Sequence, residues 1–222
     1  MTTQMGRDWS QLKKPASNSG KERTEIVRLR LDKDNTRVRI VGNVKPRYIR
    51  WVVTNEGKKH PLDCLSFDNE TEEFTNARDP FREIDESVYG EKPQFAYVVN
   101  VIDRADGKLK LMDLKLTVYK QLIEYSRDPD YGSPADPDNG YDITIKKEKT
   151  GPLAQNVKYS VMPSRSTVPL TDGERALELY NLDAIYKKPT YEEQKEWLLA
   201  NTSLFTDASG DDLRINETME DL

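Results

Sequence analysis

The stretch from residue 95 to residue 169 decides the fold of this chain. It opens with the apolar run Phe95-Ala96-Tyr97-Val98-Val99-Asn100-Val101-Ile102-Asp103, which is followed by an Ala-Asp-Gly turn at residues 105–107. The apolar and alternating patterns predict four strands and one helix, in the order 95–103, 108–112, a helix over 115–126, 141–147 and 157–162. Two antiparallel hairpins joined by one helix are typical of a small Greek-key barrel.

The region before this stretch is basic and alternates with a period of two. Val27, Leu29 and Leu31 alternate with arginines, and after a turn at residues 32–35 the same pattern continues around Val38 and Ile40. A hairpin over this region would place four arginines on the face opposite the apolar side chains: Arg28, Arg30, Arg37 and Arg39. Two interpretations remain open. The arginines either contact an anion, or they form a solvated face whose aliphatic stems cover the barrel.

The next predicted strand combines aromatic and basic side chains. In the run over residues 47–53, Tyr48 and Arg50 share one face, and Ile49 and Trp51 share the other. Tyr48 and Arg50 are therefore the better candidates for contact with a base or a phosphate. The segment 61–93 that follows alternates acidic residues with phenylalanines, and we interpret it only as a flap over the barrel.

The net charge of −5 hides a strong asymmetry along the 222 residues. Residues 1–60 contain 15 Lys or Arg against 6 Asp or Glu, whereas residues 171–222 contain 5 against 13. The acidic total therefore conceals a basic N-terminal part and an acidic end.

Composition restricts the chemistry that the chain can perform. There is one cysteine, Cys64, and one histidine, His60, so an internal disulfide and a histidine cluster are excluded, and a structural zinc site would lack ligands. Neither glycine-rich phosphate-binding motif occurs. No apolar run is long enough for a membrane span, and no signal-peptide core is present at the N-terminus. We expect a cytoplasmic protein without a membrane partner, a metal or another cofactor.

The chain divides into four predicted parts. They are a flexible N-terminal arm over residues 1–21, a β-rich core over 22–170, a helical extension over 171–206 and an acidic tail over 207–222. In the extension, Thr171 or Asp172 is expected to cap a helix through Tyr180, and Thr190 to Glu193 form a capping box for a helix ending near Asn201. The tail contains six acids and one arginine.

The order of these pieces resembles the T-even phage type of single-stranded-DNA-binding, helix-destabilising protein. The resemblance covers residues 21–170 and rests on several short runs: 26–32, 37–40, 56–58 approaching Cys64, 97–103 with the Gly107-Lys108 turn, the helix containing Val118-Tyr119, 141–145 and 159–161. It implies a mainly β (α+β) fold, an oligonucleotide-binding (OB) Greek-key barrel with one internal helix, that binds single strands with little sequence preference and supports DNA replication, recombination and repair.

The same resemblance implies protein partners. An N-terminal arm would mediate self-association along DNA, and the acidic tail would recruit replication or recombination proteins. The tail residues expected to bind partners are Asp211, Asp212, Glu217, Glu220, Asp221 and Leu222. The best-known family members hold zinc with one His and three Cys, of which only His60 and Cys64 are present, so we expect residues 62–81 to replace the metal-bound subdomain without zinc. In a phage-encoded protein the location would be the host cytoplasm.

The predicted DNA-binding residues combine cations for the phosphates with aromatics for the bases. Arginines and lysines of the first half are expected to follow the phosphates: Arg28, Arg30, Arg37, Arg39, Arg47, Arg50, Lys58 and Lys59. Lysines of the second half would extend the groove: Lys108, Lys110, Lys146, Lys147 and Lys149. The candidate stacking residues are Tyr48, Tyr97 and Tyr159.

Two other functions compete with this prediction. A non-enzymatic adaptor or structural protein of a phage replication or assembly complex would use the barrel for protein contacts. A carboxylate–metal nuclease would need several aspartates in one pocket. The aspartates of residues 128–140 lack the calcium-loop spacing and favour turns instead, so we predict no enzymatic activity.

Overall fold

The computed structural model describes residues 25–84, 92–153 and 156–205, and its core is one mixed sheet. The predicted arm and tail lie outside these residues. The elements in chain order are β1 (Arg28–Leu29), β2 (Asn35–Val53), β3 (Lys59–Asp63), a 3₁₀ turn (Pro80–Glu83), β4 (Gln94–Asp103), β5 (Leu109–Leu114), α1 (Leu116–Arg127), β6 (Asp142–Lys149), β7 (Val157–Pro163), α2 (Asp172–Arg175), α3 (Leu182–Ile185) and α4 (Tyr191–Asn201).

Within the described residues the sheet has seven strands in the order β1-β5-β4-β2-β6-β7, with β3 also paired to β2. The two predicted antiparallel hairpins are confirmed as β4–β5 and β6–β7, with α1 between them. The strands described here do not close into a barrel, because β5 pairs with β1 and β4 and not with β7. The fold is therefore a mainly β structure with few helices and an open sheet.

The predicted arginine hairpin is wrong. Residues Arg28–Leu29 form a two-residue strand that pairs in parallel with β5, whereas Arg37 and Arg39 belong to the central strand β2. β2 is one strand of 19 residues, although the sequence indicated two shorter ones. Its register shifts between Val41 and Lys45, and Gly42 adopts a φ of 70° at this bulge. A bulge bends a strand and so allows one strand to serve two parts of a sheet.

The larger hydrophobic core lies between one face of the sheet and α1. Alternate residues of each strand, such as Val99 and Val101 of β4, point into it and pack against Val118 and Leu122 of α1. A second, smaller cluster forms where Leu198 of α4 packs against the far end of β2. Because successive side chains point to opposite faces, the core on one face leaves the other face of β4 to be covered by a different part of the chain.

That opposite face is covered by residues 164–205, which we call the C-terminal strap. Asn100 of β4 exchanges two hydrogen bonds with the backbone of Tyr180, at 3.0 and 3.2 Å. Gln194 donates to the backbone carbonyl of Asp63 on β3 at 2.8 Å. The predicted capping box at Thr190 is confirmed. The predicted cap at Thr171 is also confirmed, but the helix does not reach Tyr180, since α2 ends at Arg175 and the next helix, α3, begins at Leu182.

Side chains of α1 form hydrogen bonds with the backbone of β7 along the edge that is not paired with β6. The Gln121 amide donates to the carbonyl of Tyr159 at 3.2 Å and accepts from the backbone N–H of Val161 at 2.9 Å. Tyr125 also donates to the carbonyl of Val161. The helix thus takes the position of a neighbouring strand at this edge, which blunts it against pairing with other chains.

Replacing Gln121 by alanine tests this edge. Val161 is 4% exposed, so loss of the Gln121 acceptor leaves a buried N–H without its partner, which we expect to cost about 1–3 kcal/mol of unfolding free energy. Urea unfolding measures the change, with Lys120→Ala, an exposed position on the same helix, as the matched control. A change for Gln121→Ala no larger than that of the control would contradict this role.

Candidate nucleic-acid interface

A cluster of aromatic side chains lies where the second half of β2 pairs with the first residues of β4. Tyr48 and Phe95 are directly opposite each other across the two strands, with their ring centroids 4.9 Å apart. Phe95 stacks with Tyr97 at 6.3 Å, and Tyr97 stacks with Tyr119 of α1 at 3.5 Å. These four rings form a continuous line from the sheet to the helix.

Two phenylalanines from the loop between β3 and β4 complete the cluster. Phe67 and Phe74 form an isolated β-bridge, and Phe74 meets Tyr48 edge-on at 4.9 Å. Phe67 is buried, but Phe74 and Phe95 are 58% and 39% exposed. We call Tyr48, Phe67, Phe74, Phe95, Tyr97 and Tyr119 the aromatic surface.

The loop that carries Phe67 and Phe74 is held in place by a buried carboxylate and a partly buried lysine. Asp79 accepts hydrogen bonds from the backbone N–H and hydroxyl of Ser66, both at 3.1 Å, and from the N–H of Phe81 at 3.0 Å. Lys188 of the C-terminal strap donates to the carbonyls of Cys64 and Phe67, and burial lowers its pKa. The exposed rings are therefore presented by a fixed frame rather than by a loose loop.

Burial disfavours the ionised form of two tyrosines in the aromatic surface. Burial raises the pKa of Tyr48, and burial together with the neighbouring Tyr119 and Glu72 raises the pKa of Tyr97 to about 12. Uncharged rings stack on nucleobases without the repulsion that a phenolate would exert on the phosphates.

Predicted cations lie at two separate places in the fold. The Arg50 guanidinium lies over the ring of Phe81, 5.3 Å from its centroid. On the second hairpin, Lys147 of β6 is directly opposite Tyr159 of β7, and Lys149 is opposite Val157. Lys146 of the same strand forms an ion pair with Glu148 at 3.3 Å. The hairpin thus provides a basic edge with one aromatic ring beside it.

Three of the predicted DNA-binding residues are buried. Arg39 is fully buried and donates to the carbonyls of Val168 and Asp136 at 2.7 and 2.6 Å, with its pKa lowered by burial. Arg47 forms a buried two-point salt bridge with Asp63, at 2.9 and 2.7 Å. Tyr97 is 5% exposed. These side chains support the site from within and have almost no surface of their own.

Other predicted cations are paired with carboxylates. Arg28 bonds Asp113, Arg37 bonds Asp142, Lys58 bonds Glu56, and Lys110 bonds both Asp103 and Asp106. The two hydrogen-bonded carboxylates raise the pKa of Lys110, with Asp103 contributing most. Of the remaining predicted cations, three are partly buried and four are exposed: Arg50, Lys146 and Lys147 are partly buried, and Arg30, Lys59, Lys108 and Lys149 are exposed.

The structure adds Phe67, Phe74 and Phe95 to the aromatic residues that the sequence indicated. The signal for Phe67 and Phe74 was the recurrence of phenylalanine among acidic residues in the segment 61–93, which the alternation alone did not connect to Tyr48, whereas Phe95 is the first residue of the apolar run 95–103. The predicted partner-binding residues lie outside the described part of the chain, which ends at residue 205: Asp211, Asp212, Glu217, Glu220, Asp221 and Leu222.

The described residues present little that is suited to metal or nucleophilic chemistry. In the ranges that the structure covers, no three His, Cys, Asp or Glu side chains converge as metal ligands. Cys64 is buried, and burial raises the pKa of its thiol to about 12. The ring of His60 stacks on Trp197 at 4.7 Å. Over the same residues, no helix has the length and apolarity required to cross a bilayer.

Comparison with known proteins gives one informative similarity. The chain is 28% identical over 232 aligned residues to a protein of Escherichia phage T5 named "Probable ssDNA-binding protein", and the alignment covers 88% of this chain and 86% of that protein. No protein-family model matches the chain. The similarity supports a relation to phage single-stranded-DNA-binding proteins without pointing to the T-even type.

Replacing Arg47 by alanine tests its structural role. The substitution leaves Asp63 as an unpaired buried carboxylate, and we expect a loss of about 3–5 kcal/mol of unfolding free energy. Urea unfolding followed by tryptophan fluorescence measures it. Arg30→Ala, at an exposed arginine, is the control and should change the stability by less than about 0.5 kcal/mol. Equal effects of the two substitutions would show that the buried pair does not stabilise the fold.

Proposed function

We propose that this protein binds single-stranded DNA with little sequence preference through the aromatic surface. The observation that carries the proposal is the exposure of Phe74 and Phe95 at the end of a fixed line of rings. Every nucleobase has a π-face, so stacking on these rings tolerates any sequence. The similarity to a probable ssDNA-binding protein of a phage supports the same class of ligand.

We further propose that the sheet is of the OB type. β2, β4, β5, β6 and β7 correspond to its five strands, and α1 lies between the third and the fourth. An OB-fold is a partly open Greek-key barrel that binds oligonucleotides on its second and third strands and on the loops after the first and fourth. Here the loop after the first strand carries Phe67 and Phe74, and the loop after the fourth lies between the lysine-bearing strands β6 and β7.

The C-terminal strap restricts the bound strand to one face of the sheet. It covers the face of β4 that carries Asn100, whereas Phe95 lies on the opposite face, beside Tyr97, and is exposed at the start of the strand. A strand that binds this protein would therefore stack its bases at the Phe95 end and extend its phosphates toward Arg50 on one side and toward the lysines of β6 on the other.

Selection for single strands follows from the same geometry. In a duplex the π-faces are already stacked on one another, so only an unpaired strand can place its bases on Phe74 and Phe95. Binding of this kind protects exposed single strands without catalysis, and this supports a role in replication, recombination and repair. The acidic tail would recruit partner proteins, and the arm would mediate self-association along the DNA.

A fluorescence titration tests this function. Oligo-dT should quench the intrinsic tryptophan and tyrosine fluorescence much more strongly than a blunt duplex of equal length, and the affinity should fall as salt rises. A gel shift at low salt provides an independent readout. Equal binding of both ligands would contradict the preference for single strands, and binding of neither in both assays would favour the adaptor function, in which the sheet contacts proteins.

Replacing Phe74 by alanine tests the aromatic surface directly. Loss of one stacking ring should weaken oligo-dT binding by about 1–3 kcal/mol, roughly five- to 150-fold in affinity. Leu199→Ala is the matched control, because Leu199 is a similarly exposed apolar residue, at 55%, on α4. Titrations of both variants at one salt concentration give the comparison, and an unchanged affinity of Phe74→Ala would remove this surface from the site.

Deletion of residues 207–222 tests the acidic tail. We propose that its six acids compete with DNA for the cations, so the truncated protein should bind oligo-dT more tightly at low salt. The two proteins should converge at high salt, where exposed charges are screened. An affinity at low salt equal to that of the full chain would contradict the competition.

A further inference from the structure

A cavity of about 310 Å³ opens beside the aromatic surface, between β2 and the loop before β4. This volume is at the lower end of the range of small-molecule sites, roughly 300–1,000 Å³. The residues that decide what the cavity can hold are found on its walls, its floor and its rim: Tyr48, Arg50, Ser66, Asp79, Phe81 and Arg82.

The walls of the cavity include flat side chains, and polar and apolar atoms line it about equally. Tyr48 lines it and also belongs to the aromatic surface, so the cavity adjoins the line of exposed rings. Phe81 forms a second wall, and the planar Arg50 guanidinium lies against its ring. Aromatic and guanidinium planes are the groups on which unstacked bases are held in proteins.

The floor favours a base over a phosphate. A carboxylate offers about four acceptor positions, and Asp79 uses three of them for the N–H and hydroxyl of Ser66 and the N–H of Phe81. The remaining position accepts a hydrogen bond from the N–H or amino group of a base, whereas the negative charge repels a phosphate. Because Asp79 is already fixed by its neighbours, no rearrangement is needed to present this acceptor.

The arginines at the opening of the cavity carry positive charge, which is complementary to the phosphate of a nucleotide. Arg82 is exposed and donates to the backbone carbonyl of Thr75 at 3.1 Å. Arg50 lines the same opening. Guanidinium groups contact phosphate oxygens in a two-point geometry, so a nucleotide whose base enters the cavity would leave its phosphate beside Arg82.

We infer that this cavity is a subsite for one nucleotide of the bound strand, with the base between Tyr48 and Phe81 above Asp79 and the phosphate at Arg82. The inference rests on the proposed binding of single-stranded DNA and adds to it a position where one base leaves the stacked row. The strand is thereby anchored at one end of the aromatic surface instead of sliding along it freely.

The test uses the full chain and a short oligo-dT with 5-iodo-2′-deoxyuridine at one internal position. Irradiation of the complex and tandem mass spectrometry identify the residue that carries the adduct, and we expect an adduct on Phe81. In parallel, the salt dependence of oligo-dT binding is measured for Arg82→Gln and Arg78→Gln. The slope of log K against log salt should become shallower by about 0.7 for Arg82→Gln.

Arg78→Gln is the matched control, because Arg78 is an arginine of the same loop that does not line the cavity. It bonds Glu83 and lies over the ring of Tyr191, so its replacement should leave the slope unchanged. Adducts confined to Phe74 or Phe95, or equal slopes for the two variants, would overturn the subsite while the proposed function stands. Failure of the wild-type protein to bind oligo-dT at low salt would overturn both.

Discussion

The whole structure depends on the backbone hydrogen bonds that a single strand, β2, forms with its neighbours. β2 pairs with β4 along most of its length, with β6 at its start and with β3 at its end. One 19-residue strand can serve three partners because the bulge at Gly42 bends it, and an added Cβ there would lie 3.0 Å from Leu179 of the strap. The C-terminal strap therefore packs on the sheet at the same place where β2 bends. The aromatic surface lies in the second half of β2, where Tyr48 is opposite Phe95 of β4.

The arginines of the sheet form ion pairs and hydrogen bonds mainly with other groups of the protein. Four arginines in two short runs would repel one another without anions nearby, and the chain supplies those anions itself. Asp142 receives both Arg37 and Arg104, and Asp63 receives Arg47. Burial of such pairs is costly unless their hydrogen bonds are complete. Arg39 instead donates to backbone carbonyls, that of Val168 in the strap and that of Asp136 in the loop before β6.

Sequence patterns identified the elements of the sheet but not all of their partners. The apolar run at residues 95–103, the helix around Tyr119 and the capping box at Thr190 were predictable, because each depends on local periodicity or a local cap. The pairing of β1 with β5 and the burial of Arg39 were not, since both depend on residues more than 80 positions away. For the site, Tyr48 and Arg50 were found from their shared face. Phe67 and Phe74 were missed because isolated phenylalanines in an irregular loop have no period.

These ion pairs determine how much electrostatic attraction and how much base stacking contribute to the proposed affinity for DNA. The chain has a net charge of −5, and Arg28, Arg37, Arg47, Lys58 and Lys110 already have carboxylate partners. Neutralised cations release few counterions when DNA binds, so the electrostatic part of the affinity is smaller than a count of arginines indicates. The exposed rings have no such internal competitor, and each stacked base contributes about 1–3 kcal/mol. In the proposed mode of binding, the aromatic surface therefore supplies most of the affinity, and the remaining cations set the path of the strand.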